Sequence, residues 1–246
     1  MLIHPTAVIH PKAKLGNAVS VGAFSIVNEN VEIGANSIIG SHCEIGISRP
    51  DNHENLVIGA ESIIRSHSVL YAGSKFGNKL ETGHHVSIRE GTKAGDNLRV
   101  GSYSDIQGDL VIGNFVRLHS NVHLGKQTTI GNYVWIFPFV VTTNDPQPPS
   151  ELVLGCQIED YVAIATGAIL LPGVHVGHDS LVGANSTVNK NVEPFSLIVG
   201  SPGRKIKDVR DLKSADSRQS YPWRMHFRRG YPEEVIRSWE DEFKIS

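Results

Sequence analysis

An all-β coil with three short parallel strands to the turn is the fold this chain predicts, and three observations predict it. An aliphatic or small residue returns every sixth position, at Ile88, Ala94, Val100, Ile106, Ile112, Leu118, Leu124, Ile130 and Ile136. Four positions after these stands a second small or branched residue: Thr92, Leu98, Ser104, Leu110, Val116, Val122, Thr128 and Val134. Glycine follows the aliphatic residue at 95, 101, 113, 125 and 131, where the chain must bend and a Cβ is least welcome. A period of six suits neither a helix nor an alternating strand. With both positions turned inward it describes a triangular prism of about 18 residues per coil, a hexapeptide-repeat β-helix.

The frame is already in place at the start, through Ile3, Ile9, Leu15, Val21, Val27, Ile33, Ile39 and Ile45. It breaks near 47–56, where Arg49-Pro50-Asp51-Asn52-His53-Glu54-Asn55 is too polar to face a core and reads as a loop at a corner. Ile58, Ile64, Leu70 and Phe76 restore it, and it passes through the less typical Thr82 as far as Thr142. A second loop, 143–151, contains prolines that forbid an inner strand. The third tract runs through Ile158, Ile164, Leu170, Val176, Val182 and Val188, with Cys156, Val162, Ala168, Val174, Ser180 and Ser186 as inward partners. Together the tracts make roughly ten coils, a prism about 50 Å long.

Such a prism leaves its ends open, so the expected domain, 1–203, needs a cover after Val199. Residues 204–246 are read as that cover, a basic and partly helical C-terminal extension. Between Arg204 and Tyr231 stand nine Lys or Arg against Asp208, Asp211 and Asp216. Pro232-Glu233-Glu234 then opens a helix with carboxylates in its first turn, where the helix dipole favours them. Val235, Ile236, Trp239 and Phe243 share one face of it, which should dock on the prism or on a neighbouring subunit.

Composition bounds the function. Formal net charge is -2, so the overall balance does not ask for a nucleic-acid partner. Aromatic residues are 7%, in keeping with a narrow core of Ile, Val, Leu and small side chains. The opening Met1-Leu2-Ile3-His4-Pro5 has no basic segment followed by an apolar run, and no stretch approaches a membrane span, so a soluble cytoplasmic protein is expected. The two cysteines, Cys43 and Cys156, fall at small inward positions of distant coils and read as core residues rather than a disulfide or nucleophiles.

Several stretches carry a family resemblance over nearly the whole chain. Ile164-Ala165-Thr166-Gly167-Ala168-Ile169-Leu170-Leu171-Pro172-Gly173-Val174, together with Gly200-Ser201-Pro202-Gly203-Arg204-Lys205, resembles the left-handed β-helix acyltransferases. Thr82-Gly83-His84-His85-Val86, Ser120-Asn121-Val122 and Thr143-Asn144-Asp145-Pro146 look more narrowly like the bacterial nucleotide-sugar N-acetyltransferases. The opening Ile3-His4-Pro5-Thr6-Ala7-Val8-Ile9 is similar instead to the UDP-N-acetylglucosamine O-acyltransferases of lipid A synthesis. The resemblance implies a left-handed parallel β-helix, against the usual right-handed crossover. It also implies a homotrimer with acetyl-CoA in the cleft between adjacent prisms. The chain departs from the family at Ala165, where a glycine is usual, at Gly203, where an alanine is usual, and in the longer tail with Tyr221-Pro222-Trp223.

Residues one coil apart stack, so the sequence can be read as columns. His67, His85, Tyr103, Asn121 and Phe139 form one on an outward corner, read either as the lining of a nucleotide-sugar site, with Asn121 holding the acceptor amine, or as a solvated corner. Asn144 and Asp145, at the root of the second loop, join His85 and Tyr103 as substrate-binding candidates. Asp105 and His123 form a second column. A carboxylate beside an imidazole fixes its tautomer and makes it a better general base, although a surface pair is the plainer reading. His84, in the segment resembling the family, is preferred to His123 as the base, and a structural corner histidine is its alternative. His4, His10 and His178 read as surface. For the thioester oxyanion and the coenzyme the candidate donors are backbone N–H groups around Gly167, Ala168, Gly183 and Ala184, with Arg204 and Lys205 for the coenzyme's phosphates.

The resulting expectation is an enzyme that moves an acetyl group from acetyl-CoA to the amino group of a nucleotide-linked amino sugar in surface polysaccharide synthesis. Transfer to a sugar hydroxyl or a lipid A type precursor is the alternative among enzymes. A non-catalytic β-helix scaffold, or a zinc site of carbonic anhydrase type using His119 and His123, are the others. No metal is expected, because the ligand spacing of that zinc family is missing.

Overall fold

The computed structural model describes residues 2–48, 54–213, 220–223 and 231–243, the last without its side chain. The six-residue period folds as expected into a parallel β-helix of three sheets. The first sheet has twelve strands, running from Leu2–Ile3 to Ser196–Val199 and closed by Arg204–Asp208. The second has ten, from Val8–Ile9 to Thr187–Val188, and the third nine, from Lys14–Leu15 to His175–Val176. Every pairing is parallel except the last, where Arg204–Asp208 returns antiparallel along Ser196–Val199. That hairpin straddles position 203, so the expected C-terminal extension begins as a strand that covers the end of the first sheet.

The inward positions make one continuous core. Ile88, Ile106 and Leu124 lie in successive register on the second sheet and are each at most 1% exposed. Removing side chains of this size from water favours the fold by about 1.5–3 kcal/mol apiece. The smaller inward residues also serve the corners. Ser104 Oγ donates to His119 O at 3.0 Å and accepts from Val122 N at 3.2 Å, so the buried hydroxyl is satisfied on both counts.

Two different positions solve each corner. At Gly101 a Cβ would run into the backbone of His119 and Ser120 in the next coil, so the glycine is there for close approach. The left-handed conformation falls two residues later, on side chains of any size: φ is 56° at His85, 60° at Tyr103, 58° at Asn121 and 63° at Phe139. That conformation costs about 1–2 kcal/mol for a residue with a Cβ. A hydrogen bond to the adjoining coil offsets it at each: Tyr103 N donates to His84 O and Asn121 N to Ser102 O, both at 3.0 Å.

The first loop leaves after Glu44–Ile47 and rejoins at Leu56–Ile58; the expected loop's residues 49–53 lie outside the described residues. It lengthens one coil, since Ile38 pairs with Ile63 whereas Ile63 pairs with Glu81. The C-terminal helix spans Glu233–Phe243, and its Trp239, 6% exposed, docks on the prism. Most of the basic stretch before it, 214–219 and 224–230, lies outside the described residues. Among the described residues no helix is long and apolar enough to cross a membrane.

Cys43 and Cys156 are free and buried, each in the core position expected. Burial pushes both thiols up, Cys156 to about 11. At pH 8 only about a thousandth of Cys156 is then thiolate, the reactive form. A colorimetric thiol reagent is expected to leave both unmodified in the native protein and to find two thiols per chain after denaturation. Rapid native labelling would show that these coils open.

Candidate active site

The corner between the first and second sheets carries the column read from the sequence, and extends it. Rings of Phe24, His42, His67, His85 and Tyr103 stack with centroids 5.1, 4.9, 4.6 and 5.0 Å apart. Asn121 takes the next place and Phe139, 59% exposed, the one after. Within the stack, burial and then the neighbouring imidazoles of His85, His42 and His84 lower the pKa of His67, which favours the neutral form. His84 precedes the corner residue; its amide donates to Ser102 Oγ at 3.0 Å and its side chain is exposed. No described residue hydrogen-bonds its ring.

On the adjoining second face the parallel register sets Asp105 beside His123. Asp105 Oδ2 lies 3.2 Å from His123 Nδ1 and accepts from Gln107 Nε2 at 2.5 Å. Both side chains remain about two-fifths exposed, at 40% for Asp105 and 41% for His123. With Nδ1–H directed at the carboxylate, Nε2 holds the lone pair and can take a proton from a reacting group. Among the described residues a carboxylate thus orients His123 and none orients His84.

The first face holds a groove of about 380 Å³ lined by Arg65, Glu81, Arg99, Arg117, His119 and Trp135, with Ser102 and Ser120 at its corner edge. Glu81 sits between two cations, its Oε1 2.5 Å from Arg65 Nη2 and its Oε2 3.3 Å from Arg99 Nε. Arg117 is 5% exposed and donates from Nη2 to Asn97 Oδ1 at 2.9 Å and from Nη1 to Asn97 O at 2.5 Å. Burial lowers it to about 10, so it stays a cation at neutral pH. His119 stacks on Phe137 at 4.8 Å, and burial holds its pKa below the usual value.

The tail fixes this groove from behind. At the corner between the third and first sheets, Phe115, Tyr133 and Tyr161 stack at 5.1 Å intervals. Trp239 meets Tyr133 edge-on at 5.3 Å, and Tyr231 OH accepts from Trp135 Nε1 at 2.5 Å. The Tyr231 ring also lies 4.8 Å from the Arg117 guanidinium.

Most of the remaining candidates are already engaged. Asp145 accepts from Ser150 Oγ at 2.7 Å, Ser150 N at 3.1 Å and Gln147 N at 3.2 Å, bonds that tie its own loop and lower its pKa. Asn144 O accepts from Leu154 N at 2.8 Å, so this residue too closes the loop. Of the proposed backbone donors, Gly167 N already donates to Pro138 O at 3.0 Å, Gly183 N to Ile198 O at 2.8 Å and Ala168 N to Ala165 O at 3.3 Å. Among the four, only the exposed Ala184 has an N–H with no described acceptor. Arg204 and Lys205 lie on the closing strand, where Lys205 Nζ is 3.5 Å from Glu193 Oε2 and Arg204 Nη1 donates to Gly203 O.

Two histidine–carboxylate pairs were not anticipated. His175 Nε2 is 2.8 Å from Glu159 Oε1, and His178 Nδ1 is 3.0 Å from Asp179 Oδ2. Burial alone would raise Glu159, but the His178 amide and the His175 ring bring it below the usual range. His178, expected at the bare surface, therefore has partners. His119 and His123 belong to different faces, and no group of three or more ligand side chains able to hold a metal occurs among the described residues.

Residues 12–46 match the family described as bacterial transferase hexapeptide (six repeats). Over 76 residues the chain is 34% identical to a chloramphenicol acetyltransferase of Klebsiella aerogenes, covering 29% of this chain and 36% of that protein. Over 63 residues it is 40% identical to a 2,3,4,5-tetrahydropyridine-2,6-dicarboxylate N-acetyltransferase of Ligilactobacillus salivarius, covering 26% of each. These matches span well under half of either relative's length. The structure of an Arabidopsis UDP-N-acetylglucosamine acyltransferase superposes with a TM-score of 0.70 at 18% identity, over 83% of this chain and 73% of that one, a likeness of fold. The repeat matched at residues 12–46 and the likeness of fold agree with the period of six and the three-sheet coil.

Proposed function

We propose that this hexapeptide-repeat protein is an acyl-CoA-dependent transferase that moves an acetyl group from acetyl-CoA to the amino group of a nucleotide-linked amino sugar. The observation that carries the chemistry is the Asp105–His123 pair at 3.2 Å, beside the corner that bears Asn121. In the reaction the acceptor nitrogen attacks the thioester carbonyl carbon and the carbon–sulfur bond breaks. His123 Nε2 receives the proton the nitrogen loses and returns one to the departing thiolate. Asp105 holds the imidazole tautomer and stabilises the imidazolium. Asn121 orients the acceptor, and the N–H of Ala184 is available to the coenzyme. Arg204 and Lys205 meet its phosphates, Lys205 exchanging Glu193 for them.

The site is completed between subunits of a homotrimer. Val8 and Ile26 on the second face and Leu2 and Ile38 on the first are 60%, 40%, 78% and 48% exposed, surface that a neighbour would cover. The third face carries Lys14, Glu32, Lys75 and Lys93 around the exposed Val111, a more charged surface than the other two. Sedimentation should give a trimer; a concentration-independent monomer would count against it.

Transfer to a sugar hydroxyl is the second reading, and the same dyad favours it, because a hydroxyl needs a base more than an amine does. Thiol release from acetyl-CoA, measured against a panel of nucleotide-linked amino sugars and their hydroxyl counterparts, tests both. Asn121→Ala is expected to lower turnover about tenfold or more with the fold intact, the scale of one lost hydrogen bond to a charged or reacting group. His4→Ala should leave it unchanged. Wild-type turnover in the Asn121 variant would remove that residue from the site.

A further inference from the structure

The groove on the first face is not used by the dyad, yet among the concavities described it is the one that gathers arginines. Three arginines, Arg65, Arg99 and Arg117, line it with one carboxylate, Glu81, which leaves an excess of two positive charges in about 380 Å³. Glu81 takes only one nitrogen of Arg65 and one of Arg99 at close range, and a guanidinium carries five N–H donors. Arg117 forms the back wall, immobilised by Asn97 and the Tyr231 ring, so its orientation does not have to be fixed when a ligand arrives. Because it is almost out of water, an anion reaching it meets a poorly screened charge.

We infer that this groove binds a diphosphate, the linkage between nucleoside and sugar in the acceptor. The inference rests on the nucleotide-linked acceptor proposed above. Planar forks that pair two N–H groups with two oxygens are the side chains suited to phosphate, and the excess of two positive charges matches a diphosphate. The groove's corner edge is Ser102 and Ser120, the residues immediately before Tyr103 and Asn121, so a diphosphate seated there delivers the attached sugar to the corner.

The coenzyme also contains a diphosphate, and the function proposed above seats it elsewhere, at Ala184. Gly183 and Ala184 follow the strand Leu181–Val182, two strands beyond Trp135–Ile136 at the groove's far end and four beyond Arg99–Val100, roughly 19 Å from the latter at one strand spacing each. The groove is therefore assigned to the acceptor.

Calorimetry on the full chain without acyl donor tests this with inorganic pyrophosphate, with uridine diphosphate and with CoA as separate ligands. Pyrophosphate and the nucleoside diphosphate are expected to bind, more weakly as salt rises. Arg99→Gln and Arg65→Gln should each weaken both by about tenfold or more, the effect of a lost charge-assisted hydrogen bond. CoA affinity should not change in these variants. Glu81→Gln is expected to tighten pyrophosphate several-fold, a gain that a collapsed groove cannot imitate. Lys93→Gln on the third face should be silent. The inference is overturned if pyrophosphate does not bind at millimolar concentration, if the arginine variants bind it normally, or if their loss falls on CoA alone. Since no acyl donor is present, none of these results bears on whether the protein transfers an acetyl group. Conversely, pyrophosphate binding by a protein that releases no thiol would refute the transferase reading and leave the groove standing.

Discussion

His123→Ala is expected to lower kcat by roughly 10²-fold or more, with KM little changed, because a positioned proton acceptor acts mainly in the transition state. His84→Ala should stay close to wild type, since no carboxylate among the described residues orients that ring. Asp105→Asn should cost less than His123→Ala: the imidazole survives, but an amide can offer Nδ1 a donor and favour the wrong tautomer. The pH dependence separates the two acceptors. An amine deprotonates in water as pH rises, so the deficit of the His123 variant should shrink; a hydroxyl does not, and the deficit should persist. A large loss in the His84 variant with none in the His123 variant would transfer the base to His84.

What the sequence can show of this molecule follows its period. Columns one coil apart are legible wherever the step stays at 18 residues, and for that reason Asp105 and His123 could be paired before any coordinates, in the register later found. The same arithmetic aligns Glu81, Arg99, Arg117 and Trp135, outward residues in successive strands of the first sheet, so the signal for the groove was present and unread. The ring stack shows where such reading fails. His42 and His67 stack at 4.9 Å, yet the first loop lengthens the step between them, and counting by 18 from His67 never reaches His42 or Phe24. Hydrogen bonds that close a corner are likewise invisible to periodicity: a glycine-rich tract suggests free N–H groups, whereas Gly167 and Gly183 give theirs to Pro138 and Ile198. The tail has no period at all. Its helix could be placed from Pro232, the first-turn carboxylates and the apolar face, but not its seat, because Tyr231 meets Trp135 from 96 residues away.

That seat makes Trp239→Ala the substitution with the largest expected structural effect outside the core. Trp239 is 6% exposed and lies edge-on to Tyr133 at 5.3 Å and to Tyr231 at 5.1 Å, and truncating a buried tryptophan typically costs about 3–5 kcal/mol. The prism does not depend on that contact, since its core is continuous and its ladders close without the tail. The loss should therefore appear as local release. A helix of eleven residues is marginal alone, so once undocked it should unfold and carry Tyr231 with it. Tryptic cleavage within the tail is then expected to quicken by roughly 10²-fold, the equivalent of about 3 kcal/mol, while the main thermal transition of the prism hardly moves. Trp135 Nε1 would lose its acceptor and Arg117 the ring beside it, so pyrophosphate affinity should fall in the same variant although Trp239 does not line the groove. Glu233→Gln, which removes an exposed ion pair with Arg237 and leaves the tryptic sites intact, should change neither cleavage nor binding. An unchanged cleavage rate in Trp239→Ala would mean that the clasp is not held by this ring. Faster cleavage with undiminished pyrophosphate binding would mean that Arg117 keeps its place without the tail.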